Sequence, residues 1–222
     1  MDTSIASLGL AADISSDARL VTATVIAHNP DAALLRFHVD GQDRTGVMPV
    51  PEFVPGRSWE TGLVVTALVC DDADRPLLSL ARPEIVPALL AGVSPEVRAG
   101  TVVVKGVARR PGVRTKLAVA STEPGVDPIA ACVGRQHNRV DYLKAALLGE
   151  QVDVIAWHPD REVYLRNALQ PANVSTIVID AAARTAVATA PTHQMSAAVG
   201  VGGMNSALAG QLVGLQVRIE AA

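Results

Sequence analysis

Aromatic residues make up only 3% of this 222-residue chain, so its cores must be built from Val, Ala and Leu, which the 49% hydrophobic content supplies. Lysine is nearly missing too, with 3 Lys against 16 Arg. The two cysteines, Cys70 and Cys132, are isolated and lack metal-ligand spacing, which excludes a disulfide framework and fits a reduced cytoplasm. No apolar run approaches the roughly 20 residues of a membrane span. Met1-Asp2-Thr3-Ser4 lacks the basic region of a secretory leader. A soluble cytoplasmic protein with no membrane role is expected, long enough for one large domain or a few small ones.

Catalytic signatures are also missing. The histidines His28, His38, His137, His158 and His193 show no metal spacing, and no G-x-S-x-G motif occurs. Gly200-Val201-Gly202-Gly203 lacks the Lys-Ser/Thr of a phosphate-binding P-loop. Asp71, Asp72 and Asp74 read as a solvated turn, because no glutamate follows at calcium-loop spacing. No enzyme, metal or cofactor is expected.

What charge there is lies unevenly. Residues 1–97 carry 6 basic and 13 acidic side chains, residues 98–150 carry 9 and 4, and residues 151–222 carry 4 and 5. A net −3 chain with one basic island is no general polyanion binder, yet the island can present a local phosphate-binding face.

Residues 1–17 are small and polar and read as a flexible tail. Five β-type runs follow in 18–82, at Leu20–His28, Ala33–Val39, Arg44–Val50, Gly62–Val69 and Pro76–Ala81, separated by Asn, Asp, Pro and Gly turns. Five short strands in about sixty residues suggest a small OB-type β-barrel. Its candidates for base stacking are few: Phe37, His38 and Phe53, in an acidic segment.

The remainder contains an echo. Ala131-Cys132-Val133-Gly134-Arg135-Gln136-His137 precedes Gly149-Glu150-Gln151-Val152-Asp153-Val154 at nearly the spacing by which Ala197-Ala198-Val199-Gly200-Val201-Gly202-Gly203 precedes Gly214-Leu215-Gln216-Val217-Arg218-Ile219. Each copy reads as a helix end, a G-x-x-G-like loop, a second helix and a strand. With the helix and hairpin ahead of each loop, the order helix, two strands, two helices, strand occurs twice, in 83–160 and 161–222. That is the order of a type II KH domain, whose G-x-x-G loop clamps an RNA backbone. The fold class is therefore α+β: a five-stranded OB-type barrel, then two tandem type II KH domains.

The residues resemble the RNA-binding half of the bacterial transcription factor family NusA. The similar segments are Pro95-Glu96-Val97 with Gly100, Val107-Ala108-Arg109-Arg110-Pro111-Gly112-Val113-Arg114-Thr115-Lys116-Leu117, Asp127-Pro128-Ile129-Ala130-Ala131-Cys132-Val133-Gly134, Gly149 to Val154 with Trp157, Ala168-Leu169-Gln170-Pro171-Ala172, and Ala198-Val199-Gly200. The likeness covers roughly 95–220 well and the barrel only loosely. It implies binding of single-stranded RNA during transcription elongation, termination or antitermination, with RNA polymerase or other transcription factors as partners.

Three departures from the family pattern stand out. Only a short tail precedes the barrel, so a truncated, diverged paralogue without the family's N-terminal polymerase-binding domain is expected. The first loop ends in His137 where the family has glycine, and the second carries Val201 where a cation is usual; Asn205 follows in a helix that usually holds an arginine.

In a G-x-x-G loop the glycines let a phosphodiester approach main-chain N–H groups at a helix N-terminus. Gly134, Arg135, Gln136, His137 and Arg139 are the candidate contacts of the first loop; Gly200, Val201, Gly202, Gly203 and Asn205 are those of the second. Each copy keeps half the mechanism: charge without the last glycine, or glycines without charge. Both loops could instead be mere helix connections in a folded core. Lys105, Arg109, Arg110, Arg114 and Lys116 are expected to line the phosphate track, with strand alternation placing Lys105 and Arg109 on one side. Their structural alternative is pairing with Glu123, Asp127 or Asp141. Two functions follow: an RNA-gripping transcription factor, or a protein-interaction module that kept the fold, lost most RNA affinity and docks on polymerase, ribosome or another factor.

Overall fold

The computed structural model describes residues 18–71 and 73–222. The expected tail, 1–17, and Asp72 of the acidic turn lie outside the described residues.

The strands β1 (Leu20–His28), β2 (Ala32–Val39), β3 (Gln42–Pro49), β4 (Val64–Val69) and β5 (Leu78–Ser79) form an antiparallel sheet in the order β3-β2-β1-β4-β5. Alternation in β1 turns Val21, Ala23 and Val25 inward. The sheet curls until its outer ends meet at a parallel bridge, Val47 to Leu77, where the Val47 N–H donates to Pro76 O at 2.9 Å. Only glycine fits beside that closure: a Cβ on Gly46 would lie 2.8 Å from Pro76 O. The result is an OB-type half-barrel. Strand β5 is shorter than the run Pro76–Ala81 because side chains take the flanking N–H groups. Asp71 Oδ1 accepts from Leu77 N–H at 3.1 Å, and Ser79 Oγ accepts from the Ala81 and Arg82 N–H groups at 3.1 and 3.0 Å.

The next unit runs α1 (Ile85–Val93), α2 (Pro95–Arg98), β6 (Val102–Arg110), β7 (Arg114–Ser121), α3 (Pro128–Val133), α4 (Asn138–Ala146) and β8 (Gln151–Ala156). Its sheet order is β6-β7-β8, antiparallel then parallel. The last unit repeats the plan with α5 (Arg161–Ala168), β9 (Thr176–Asp180), β10 (Thr185–Ala190), α6 (Met195–Val199), α7 (Met204–Val213) and β11 (Gln216–Ala221), β10 pairing β11 in parallel. These are two KH domains in tandem. Local chemistry sets their helix starts: Asp127 and Asp160 each cap two N–H groups, at 2.8 and 3.2 Å and at 2.8 and 3.3 Å.

Two cores hold the chain together. One joins the half-barrel to the first KH domain through Leu35, Met48, Ile85, Leu89, Leu117 and Leu143. The other gathers Leu165, Leu169, Ala188 and Ala209 of the second KH domain against Ala118 and Ile155 of the first. The β6-β7-β8 sheet is thus covered on both faces, which is why Thr115 to Val119 are buried without alternation.

Candidate nucleic-acid interface

The two loops have the same backbone. After α3, Gly134 lies at φ 75, ψ 173, Gln136 at 51, 34 and His137 at 64, 12. After α6, Gly200 lies at 75, 168, Gly202 at 60, 25 and Gly203 at 76, 10, so no equivalent angle differs by more than 12°. Gln136 and His137 therefore hold a left-handed shape that glycine adopts freely, and the first loop keeps its clamp geometry without its last glycine. What His137 adds is a Cβ, with no change of path. Each loop leads into the N-terminus of a helix of nine or ten residues, α4 or α7, whose first N–H groups have no partner within the helix.

The residue chemistry of the loops differs. Arg135, Gln136 and His137 are exposed, whereas Val201 presents an aliphatic tip that is 94% exposed. Two expected contacts are withdrawn. Asn205 is 1% exposed, and its Nδ2 donates to Leu169 O at 2.9 Å, Ala197 O at 3.1 Å and Ala198 O at 3.2 Å. Arg139 folds back over Gly134 and is taken up by Glu96 Oε2 at 2.9 Å, Ser94 Oγ at 3.3 Å and the Ala131 carbonyl.

The basic island is partly paired: four of its nine cations share three carboxylates. Arg109, with a side chain 2% exposed, meets both Glu150 oxygens at 2.9 Å and also donates to Arg82 O at 2.8 Å. Glu150 completes its shell with Gly112 N–H at 2.8 Å and Thr115 Oγ1 at 2.5 Å. Lys116, fully buried, reaches Asp153 Oδ2 and Gln170 O at 3.3 and 3.2 Å; burial pushes its ammonium below the ordinary lysine value, and Asp153 offsets this in part. Arg114 shares Asp153 at 2.7 Å. The acids that pair the island are Glu150, Asp153 and Glu96, not the expected Glu123, Asp127 and Asp141. Arg110 remains at the surface.

Lys105 and Arg109 do not share a side of the sheet. The register of β6 against β7 shifts between Val104 and Gly106, making Lys105 the extra residue of a bulge, and a bulge reverses alternation beyond it. Arg109 faces the barrel side, while the Lys105 ammonium sits 5.6 Å from the centre of the Trp157 ring on the side of the second KH domain. The barrel's aromatic candidates are also spoken for. Phe37 is core, Phe53 stacks on Trp59 at 4.3 Å, and exposed His38 pairs with Asp43 at 2.9 Å.

Comparison with known proteins agrees with this architecture. Residues 80–157 match the NusA-like first KH domain and residues 161–222 the NusA-like second KH domain. The chain is 38% identical over 181 residues to "Transcription termination/antitermination protein NusA" of Thermus thermophilus, covering 81% of this chain and 46% of that protein. Proteins of the same name from Mycobacterium bovis and Bacillus subtilis are 36% and 31% identical, covering 84% and 78% of this chain and 56% and 48% of theirs. The chain spans about half the length of these curated relatives.

Proposed function

The chain belongs to the NusA-like family of tandem KH proteins, and on that footing we propose that it acts in transcription elongation, termination or antitermination by gripping single-stranded RNA with the loops Gly134–His137 and Gly200–Gly203. The observation that carries this is the shared left-handed backbone of the two loops at the heads of α4 and α7. Such a turn brings a phosphodiester against main-chain N–H groups. Arg135 and Arg110 supply the exposed cations. In this reading 18–82 is a barrel domain, 83–160 and 161–222 are the two KH domains, and the protein works in the cytoplasm beside RNA polymerase or other transcription factors. No catalytic step enters it. Titrating a labelled single-stranded RNA at rising salt tests it: binding in the micromolar range at low salt should weaken with a slope of about −0.7 per phosphate contact. Absence of binding at low salt overturns it.

The buried, paired Arg109 and Lys116 and the aliphatic tip at Val201 favour a second reading, in which the same fold docks on polymerase, ribosome or another factor.

A further inference from the structure

A cleft of about 440 Å3 opens between the two KH domains, where the bulge of β6, the end of β8, the start of α5, the β9–β10 turn and the C-terminal end of α7 converge. It lies apart from both loops. The helices flanking the first loop pack into the other core, on the opposite face of the β6-β7-β8 sheet, as Ala131, Cys132 and Leu143 show. The second loop stands at the far end of α7, ten residues and about 15 Å away.

In a chain with 22 acids and 19 Lys and Arg, the described lining of this cleft carries Lys105, Arg161 and Arg184 and no carboxylate. Trp157 provides an aromatic surface. Tyr164 provides a phenol that burial keeps protonated, hence a donor. His158 accepts the Asp160 N–H at Nδ1 at 3.0 Å, so its neutral ring presents Nε2–H as a further donor. Arg184 sits at φ 54, a left-handed position where an arginine is costly and glycine or asparagine would be at ease. Local turn stability does not account for an arginine there, and its side chain lines the cleft.

We infer that this cleft is a nucleotide-binding site that takes one phosphate with its base: Arg161 and Arg184 hold the phosphate, and the Trp157 side of the cleft receives the base. The volume is that of a small-ligand site. The phosphate can belong to a single RNA strand or to a free nucleotide, and the strand is the source expected if the chain binds RNA as proposed above. On that reading the cleft is a third point of grip, apart from the two loops.

The test reads Trp157 fluorescence in a Trp59→Phe background, a replacement that removes a buried indole N–H with no partner. A 12-nucleotide oligouridylate and UMP are titrated separately. Arg161→Ala combined with Arg184→Gly removes the two cations while relieving the left-handed strain, so the pair should fold normally. The oligonucleotide should change Trp157 emission. The paired variant should abolish that change, weaken binding about tenfold and flatten the salt slope by about 0.7, one phosphate's worth. Anisotropy of labelled oligonucleotide with wild-type chain and paired variant gives the affinity comparison without any tryptophan change. An arginine-dependent response to UMP alone supports the cleft and defeats the RNA-grip reading. Oligonucleotide binding that leaves Trp157 and the paired variant indifferent overturns the cleft and leaves RNA binding standing; no response to either ligand by either readout overturns both.

Discussion

Arg139 and Asn205 hold the same post in the two KH domains. Each stands five residues after its loop's first glycine, and each donates to the carbonyl three residues before that glycine, Ala131 O for Arg139 and Ala197 O for Asn205. The side chain thus closes over the loop's start. A Cβ on Gly134 would lie 2.7 Å from Arg139 Cγ, and one on Gly200 would lie 2.8 Å from Asn205 Cβ. The first glycine of each loop is required by this clasp as much as by any ligand.

The clasp predicts that Asn205→Ala destabilises the chain by about 2 kcal/mol, since three carbonyls, two of them in buried contacts, lose a donor. The partnerless Oδ1 removed with it keeps the loss from being larger. Denaturant midpoints measure this. A change under about 0.5 kcal/mol would return Asn205 to the list of candidate RNA contacts.

The left-handed residues of the first loop predict gains. Gln136→Gly and His137→Gly should each raise stability by up to about 1 kcal/mol, the cost of a side chain in that conformation less the entropy glycine brings to the unfolded chain. Thermal melts of the two variants decide it, and a lower melting temperature for both would show that the side chains make compensating contacts.

Sequence patterning showed most of this fold, for reasons visible in particular elements. Helix α3 starts where Asp127-Pro128 supplies a cap, and strict alternation of burial runs through β10, both plain in the sequence. The charge cluster was read less well. Arg109 is expected along a phosphate track beside Lys105, yet it goes inward because Glu150, 41 residues on, accepts it. No local rule reveals such a partner. The loops were legible through their glycines, but not the left-handed shape of Gln136 and His137, which carry side chains. The cleft was not legible at all, because four separate stretches of the chain build it and only the packing of one KH domain on the other brings them together.

The Arg109–Glu150 pair predicts a large asymmetry between neighbouring arginines. Glu150→Ala should cost about 3–5 kcal/mol by leaving a buried guanidinium unpaired. Arg110→Ala, on the surface, should stay within about 0.5 kcal/mol while weakening RNA binding. Parallel denaturation and RNA titration of the two variants check both halves; comparable stability losses would defeat the assignment.

Lys116 predicts a rise of stability in alkali. Its folded value lies below 10.5, mainly through burial, so between that value and 10.5 the unfolded chain holds more protons and stability climbs with pH. Cys70 and Cys132, pushed by burial from 9.0 to about 11 and about 12, act in the opposite sense above pH 9, because the unfolded thiols ionise first. Lys116→Gln cancels the cysteines from the comparison. The stability of wild type relative to this variant should therefore increase from pH 8 to 10.5. A decrease would mean that pairing with Asp153 outweighs desolvation.

The two loops, equal in backbone and unequal in chemistry, give the sharpest prediction. Val201→Lys sets a cation on an exposed tip whose glycines are intact, so it should leave stability unchanged and strengthen RNA binding by about 1.5–3 kcal/mol at best, one charge-assisted phosphate contact. Arg135→Ala, at the equivalent position of the first loop, should remove a contact of the same kind. Because the loops lie in different domains, the two changes should add when one strand spans both. The measurement is a titration of one single-stranded RNA into wild type, each variant and the double variant. Should Arg135→Ala abolish binding while Val201→Lys adds nothing, the first KH domain grips RNA alone and the second is its scaffold. If neither change shifts affinity, neither loop touches the RNA, and an aliphatic tip at Val201 is better explained as part of a protein-docking face.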